Sequence, residues 1–425
     1  MRATPESPSP VDAQPSPARR AALVFIFITV LIDVLSFGLI IPVLPHLVQQ
    51  LEGGDIEHAA YWVGLFGMVF AGVQFLSSPI QGALSDRFGR RPVILISCLG
   101  LGLDFVFMAL APTLAWLMVG RIISAITSAS FSTANAYIAD VTPPEGRGKA
   151  FGMIGAAFGL GFIVGPLVGG VLGGIDLRLP FWGAAVLALT NFAYGLFVLP
   201  ESLPPEKRAP RFDWSQARPL ASVALVRRYP QIADLIVVML LATSTHYVYQ
   251  STFVLYGDVR YGWGPTGVSY VLAAVGVLSV IVNAGLVGRL IKRLGEQRAL
   301  SFGLACGVVG FTIYGFAASP WLFYIGLPIS ALWAVSQPAA QALMTREVGA
   351  DAQGRLQGAI MSLVSLTGIV APMMYATTFG FFIGKRAPVY MPGAAFFLAA
   401  IVLACAWFLA VRHARRVAAV EPATA

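Results

Sequence analysis

A chain of 425 residues in which 57% are hydrophobic and only 11% are charged cannot cover itself with a wettable surface, because a soluble domain carries roughly a quarter charged residues. The mean hydropathy of +0.77 requires lipid as solvent, and long charge-free runs at 21–32, 93–103 and 152–174 lack the two-residue alternation of a barrel strand. The net charge of +8 gives no reason to expect nucleic acid, since the basic residues flank apolar runs and form no patch.

In chain order, residues 1–20 are rich in Pro and Ser and are expected to form a disordered cytoplasmic tail. The apolar run after Arg19 and Arg20 exceeds the hydrophobic region of a signal peptide, so it reads as the first span. Apolar runs predict spans near 22–46, 61–83, 92–111, 114–138, 150–173 and 180–199. A second set falls near 231–256, 266–290, 299–318, 320–344, 356–383 and 391–411. The expected organisation is a six-helix bundle over 21–199, a polar linker over 200–230, a second bundle over 231–411 and a cytoplasmic tail over 412–425. With the N-terminus inside, 23 of the 28 Lys and Arg fall in cytoplasmic segments and 4 on the opposite side, so both termini are expected in the cytoplasm.

The two halves repeat. Gly82 through Arg90 aligns with Gly288 through Glu296 at an offset of 206, and the same offset pairs Gly120 with Gly326, Ser124 with Ser330 and Pro166 with Pro372. A constant offset over even-numbered halves predicts two parallel repeats about an axis normal to the membrane, with a ligand site between them.

In the turn after the second span stand Gly82, Asp86, Arg87, Gly89, Arg90 and Arg91. The arginines either enforce topology alone or, with Asp86 and with Asp140 at the end of the fourth span, form a charge latch on the inner gate. The fifth span carries Gly155, Gly159, Gly161, Gly165, Pro166, Gly169 and Gly170 at spacings that admit close helix contact. Charges inside the membrane need a reason: Asp33 and Arg121 could pair across a wet cavity and couple proton loading to conformation, or form a fixed structural pair, and Asp104 is a further buried carboxylate. His246 is either a packed helix-contact residue or a proton carrier. Gln74, Asn135, Asn191, Tyr247, Gln250, Asn283, Trp333, Gln337 and Gln341 are polar or aromatic groups within apolar spans, suited to an amphiphilic ligand or to bonding between helices.

The loop at 82–92 and the glycine order of the fifth span resemble the motifs of the major facilitator superfamily and its proton-driven drug exporters. Together with Asp33 through Pro45, Leu103-Asp104, Gly120-Arg121, Ala139-Asp140 and Gly354 through Ser362, they make the chain similar to the twelve-span drug/proton antiporters, and most to the tetracycline-resistance group. The resemblance implies the major facilitator fold and functional charges at Asp33, Asp86, Asp104 and Arg121. The second half departs from that group: Ser279 stands where a histidine is usual, Gly307 where an aspartate is, and Asn283 where a glutamine is.

The expected function is secondary export of a hydrophobic or amphiphilic compound in exchange for protons, by a monomer in the cell inner membrane. The alternatives are uptake or facilitated transport of a small metabolite, such as a sugar or organic acid, and a non-transporting membrane sensor. No catalytic set, metal cluster, cofactor motif or phosphate-binding loop is readable, since His46, His58 and His413 lie at span ends or loops.

Overall fold

The computed structural model describes residues 17–128, 130–142, 144–209, 232–346 and 353–420. Most of the expected tail and linker, including Arg211, Arg218, Arg227 and Arg228, lies outside the described residues. Among those described, the chain is helical and contains no strand.

The first half is built from α1 (Pro17–Ile40), α2 (Leu44–Leu51), α3 (Ile56–Phe88), α4 (Arg90–Leu110), α5 (Leu114–Thr127), α6 (Ser130–Val141), α7 (Pro144–Ile175) and α8 (Leu179–Val198). The second half follows with α9 (Ala233–Ser251), α10 (Phe253–Tyr261), α11 (Pro265–Ile281), α12 (Val287–Leu294), α13 (Glu296–Phe316), α14 (Pro320–Ala331), α15 (Ser336–Arg346), α16 (Gln353–Ile383) and α17 (Ala394–Val420). By length and apolarity nine of the described helical segments can cross a membrane, or ten if α1 and α2, bent by 41°, count as one span. Several predicted spans contain breaks that hydropathy alone did not show. The fourth is split between α5 and α6, and the eighth and tenth carry irregular turns at Val282–Leu286 and Leu332–Val335.

The repeat is visible in helix boundaries. α4 and α13 are each 21 residues long and offset by 206, and each starts just after a glycine of positive φ, Gly89 at 106° and Gly295 at 76°. Only a residue without Cβ takes those turns cheaply. The carbonyl that ends each of these helices is held by a guanidinium: Arg178 donates to Ala111 O at 2.8 Å, and Arg260 to the equivalent Ala317 O at 3.2 Å. Two of the four basic residues that run against the charge bias thus satisfy the open carbonyls of a helix end. At the same end of the molecule, Asp55 caps α3 by accepting from the His58 N–H at 3.1 Å. That bond, then the His58 ring, holds the Asp55 carboxyl below its usual range.

Glycines decide which helices meet. Along α7, a methyl group at Gly161, Gly165 or Gly169 would run into Val34, the Leu35–Gly38 backbone or the Leu39 carbonyl of α1. On its other side, Gly170 and Gly174 meet Ser269 and Thr266 of α11, and Thr266 donates to Gly170 O at 3.0 Å. The second contact between halves is α3 against α16, where Gly64 meets Ala376 and Gly67 meets Pro372. Small residues let backbones approach and gain dispersion and packing in a solvent that offers no hydrophobic drive. Nearer the arginine-rich loops, a Cβ at Gly72, Gly82, Gly152, Gly155 or Gly288 would meet nothing within 4 Å. Of the described glycine contacts between the halves, those of Gly64, Gly67, Gly170 and Gly174 lie in the parts of α3 and α7 far from the arginine-rich loops.

Candidate functional site: a central cavity between the halves

A cavity of about 490 Å³ lies between α1, α3, α4, α5 and α7 of the first half and α9 and α16 of the second. Its wall is mostly apolar, with Phe37, Phe66, Phe70, Phe158 and Phe162 supplying flat faces. The polar groups reaching it include Asp33, Gln74, Arg121, Ser128, Tyr247 and Gln250, so five residues singled out in the sequence converge here from four helices. Gln74 donates to Ser128 Oγ at 2.9 Å, which fixes its amide between α3 and the end of α5. An apolar cleft with a few convergent polar groups is the form of a site for an organic molecule.

One buried pair of charges joins α4 to α5. The Arg121 guanidinium stands 3.8 Å from the Asp104 carboxylate, both groups being buried, and lies over the Phe70 ring at 4.6 Å from its centroid. α4 and α5 are neighbours, and Gly120 removes the side chain that would otherwise collide with Asp104. Asp33 lines the same cavity as Arg121 without being its partner in that buried pair, and it is half-buried. The cavity wall therefore carries Asp33 and, through Arg121, one end of a buried ion pair.

A smaller chamber of about 200 Å³ sits wholly within the second half. Here Thr243, His246, Ser279, Asn283, Trp333 and Gln337 meet, so His246 and three of the predicted polar residues gather away from the central cavity. The His246 and Trp333 rings stack at 4.2 Å. Asn283 donates to Ser279 O at 2.8 Å across one turn. Asn135 and Gln341 line neither of these cavities, Gln341 being exposed on α15. Asn191 is buried against Thr29 and Cys98, bonding helices of the first half together.

At the arginine-rich end, the Arg90 guanidinium donates to Ser85, Asp86 and Asp140, the last at 3.2 Å, while Arg91 donates to Leu196 O at 2.7 Å and the exposed Arg87 lies over Phe88. Sequence reasoning missed the centre of this cluster. Glu201, read as part of a solvated linker, accepts the backbone N–H groups of Arg90 at 2.8 Å, Arg91 at 3.3 Å and both Ser202 and Leu203 at 3.0 Å. A carboxylate at a helix N-terminus satisfies open donors and meets the positive end of the helix dipole. Gly89 makes this possible, since any Cβ there would collide with the Glu201 carboxylate. These contacts lie within the first half, so the charges fasten α3, α4 and α6 to the start of the linker. At the same offset of 206, Glu296 pairs with Arg346 at 2.8 Å, which reproduces the Arg90–Asp140 pair with reversed signs. Glu201→Ala is expected to lower stability by about 1–3 kcal/mol, because it strips acceptors from four N–H groups. Detergent melting curves would test this; an unchanged melting temperature would show that water replaces the carboxylate without loss.

Two helical halves packed around an apolar cavity define a multi-pass membrane protein of the transporter kind. The chain belongs to the Major Facilitator Superfamily, whose model matches residues 26–372. It is 36% identical to the class C tetracycline resistance protein of Escherichia coli over 353 residues, covering 83% of this chain and 88% of that one. It is 30% identical to the class H tetracycline resistance protein of Pasteurella multocida over 400 residues, covering 93% and 97%. Among solved structures, a bacterial homologue of the human lysosomal transporter Spinster, in an inward-facing unoccupied conformation, superposes with a TM-score of 0.76 at 18% identity, covering 94% of this chain and 98% of that one. That likeness concerns the fold. Proteins of this family and fold move solutes and are not enzymes.

Proposed function

We propose that the protein exports an amphiphilic organic compound across the cell inner membrane in exchange for protons, by alternating access of the central cavity. The observation that carries this reading is a cavity between the halves with aromatic walls and a single wall carboxylate, Asp33, beside glycine-packed contacts between the halves. A proton on Asp33 and a substrate in the same space compete, which is the minimum an exchanger requires. The names of the tetracycline-resistance relatives support a drug as substrate and tetracycline as the first compound to try. In this reading the chain spans the membrane twelve times as a monomer, the arginine-rich end faces the cytoplasm, and Asp104, Arg121 and His246 join Asp33 in coupling. The loop cluster around Asp86 and Asp140 holds the inner ends of the first half as a unit while the halves rock.

Everted membrane vesicles energised to an acid, positive interior test the proposal. Transported compounds, tetracycline among them, are expected to dissipate the proton gradient; a panel that moves no protons would remove the exchange reading. Orientation is tested separately: a cysteine at Ser215 should react only with reagent on the cytoplasmic side and one at Ala387 only from outside. Reaction of both from one side contradicts the twelve-span arrangement.

A further inference from the structure

The smaller chamber of the second half has a chemistry different from the central cavity. No Asp, Glu, Lys or Arg lines it, and its walls combine hydroxyl and amide groups with two stacked rings. The Trp333 indole N–H is buried and has no hydrogen-bond partner among the described residues. An indole nitrogen can only donate, so this site is short of an acceptor and not of a donor. Buried donors without partners are rare and call for an explanation.

The backbone is irregular at the same place. Asn283 lies in the Val282–Leu286 turn, where the helix widens to i→i+5 bonding, and Trp333 in the Leu332–Val335 turn, where it tightens to i→i+3. Such departures inside long helices gather at functional sites. Asn283 spends its amide protons on Ser279, whereas Gln337 is exposed within the chamber. The volume of about 200 Å³ corresponds to roughly seven waters at about 30 Å³ each, the scale of one substituted ring.

We propose that this chamber is a binding site for a flat conjugated group bearing acceptor oxygens, such as an aromatic carboxylate or enolate, held by the Trp333 N–H and the Gln337 amide against the His246–Trp333 stack. Aromatic groups prefer offset contact with exposed ring faces, which the stack provides. The site is separate from the central cavity; it shares His246 with the proposed coupling set, but its binding can be read without a gradient.

The test uses the purified full-length protein in detergent with no gradient, so it stands or falls apart from the export reading. Benzoate and benzylamine serve as probes of equal size and opposite charge, with binding followed by saturation-transfer NMR. Benzoate is expected to bind saturably and benzylamine not. Trp333→Phe keeps a ring for His246 and removes only the donor, so benzoate should weaken at least tenfold while the melting temperature holds. Gln337→Leu should weaken it several-fold, and carries the test if the Trp333 variant fails to fold. Unchanged benzoate affinity in the variants, or benzylamine bound as tightly as benzoate, overturns the proposal. So does loss of benzoate in the folded Arg121→Gln/Asp104→Asn double variant with Trp333→Phe unaffected, which would put the carboxylate in the central cavity.

Discussion

Asp33→Asn is expected to leave substrate exchange between the two membrane faces intact and to abolish accumulation against a gradient. The amide has nearly the volume of the carboxyl and mimics its protonated form, so cavity shape and helix packing change little. What is lost is the ability to release a proton, and with it the competition by which a proton gradient drives substrate uphill. The measurement is paired: counterflow of labelled substrate in vesicles without a gradient, then uptake into energised everted vesicles. Retained counterflow with uphill uptake reduced to the level of empty vesicles supports Asp33 as the coupling group. Undiminished uphill uptake would make Asp33 structural and move the proton to Asp104 or His246.

The second large effect concerns the buried pair. Removing one partner of such a pair leaves an uncompensated charge out of water, which costs about 3–5 kcal/mol, whereas removing both costs far less. Arg121→Gln should therefore destabilise the protein strongly, and Asp104→Asn in the same chain should restore more than half of the loss. Thermal or denaturant unfolding of the two single variants and the double variant gives the coupling directly. Additive losses would mean that the 3.8 Å approach of the two groups contributes nothing. Transport measured on the stable double variant then tells whether the pair also serves translocation.

The fold was readable because its signals are linear in the sequence. Apolar runs mark helices, and the 206-residue offset survives in Gly89 and Gly295, in Pro166 and Pro372, and in the equal bounds of α4 and α13. Much of the site was readable too, since polar residues inside apolar runs are few and several of them face a cavity. Pairing was not. Which carboxylate meets Arg121 depends on the rotation of α4 against α5, and the only trace is Gly120, whose missing side chain admits Asp104. Nor does period alone separate the face of α9 that carries Tyr247 and Gln250 toward the central cavity from the one that carries His246 toward the smaller chamber. Glu201 was hidden for another reason: a carboxylate among prolines and arginines reads as solvated, and only the positive φ of Gly89 brings the α4 N-terminus onto it. The irregular turns at Val282–Leu286 and Leu332–Val335 contain no proline. The second is followed by Pro338, which cannot donate to the Ala334 carbonyl four residues back.

The glycine-packed layer has an electrical consequence. Where α7 touches α1 and α11 at backbone distance, from Gly161 to Gly174, there is little room for a file of water, whereas the cavity wall passes Asp33 and continues to Leu44 and Pro45. With water in the cavity, the membrane voltage should fall mainly across the glycine-packed layer beyond it. A proton reaching Asp33 through the cavity crosses little of that field, and the rocking that exposes Asp33 to the other side carries the charge through most of it. At about 2.3 kcal/mol per charge per 100 mV, voltage should act on the conformational step and leave proton binding nearly untouched.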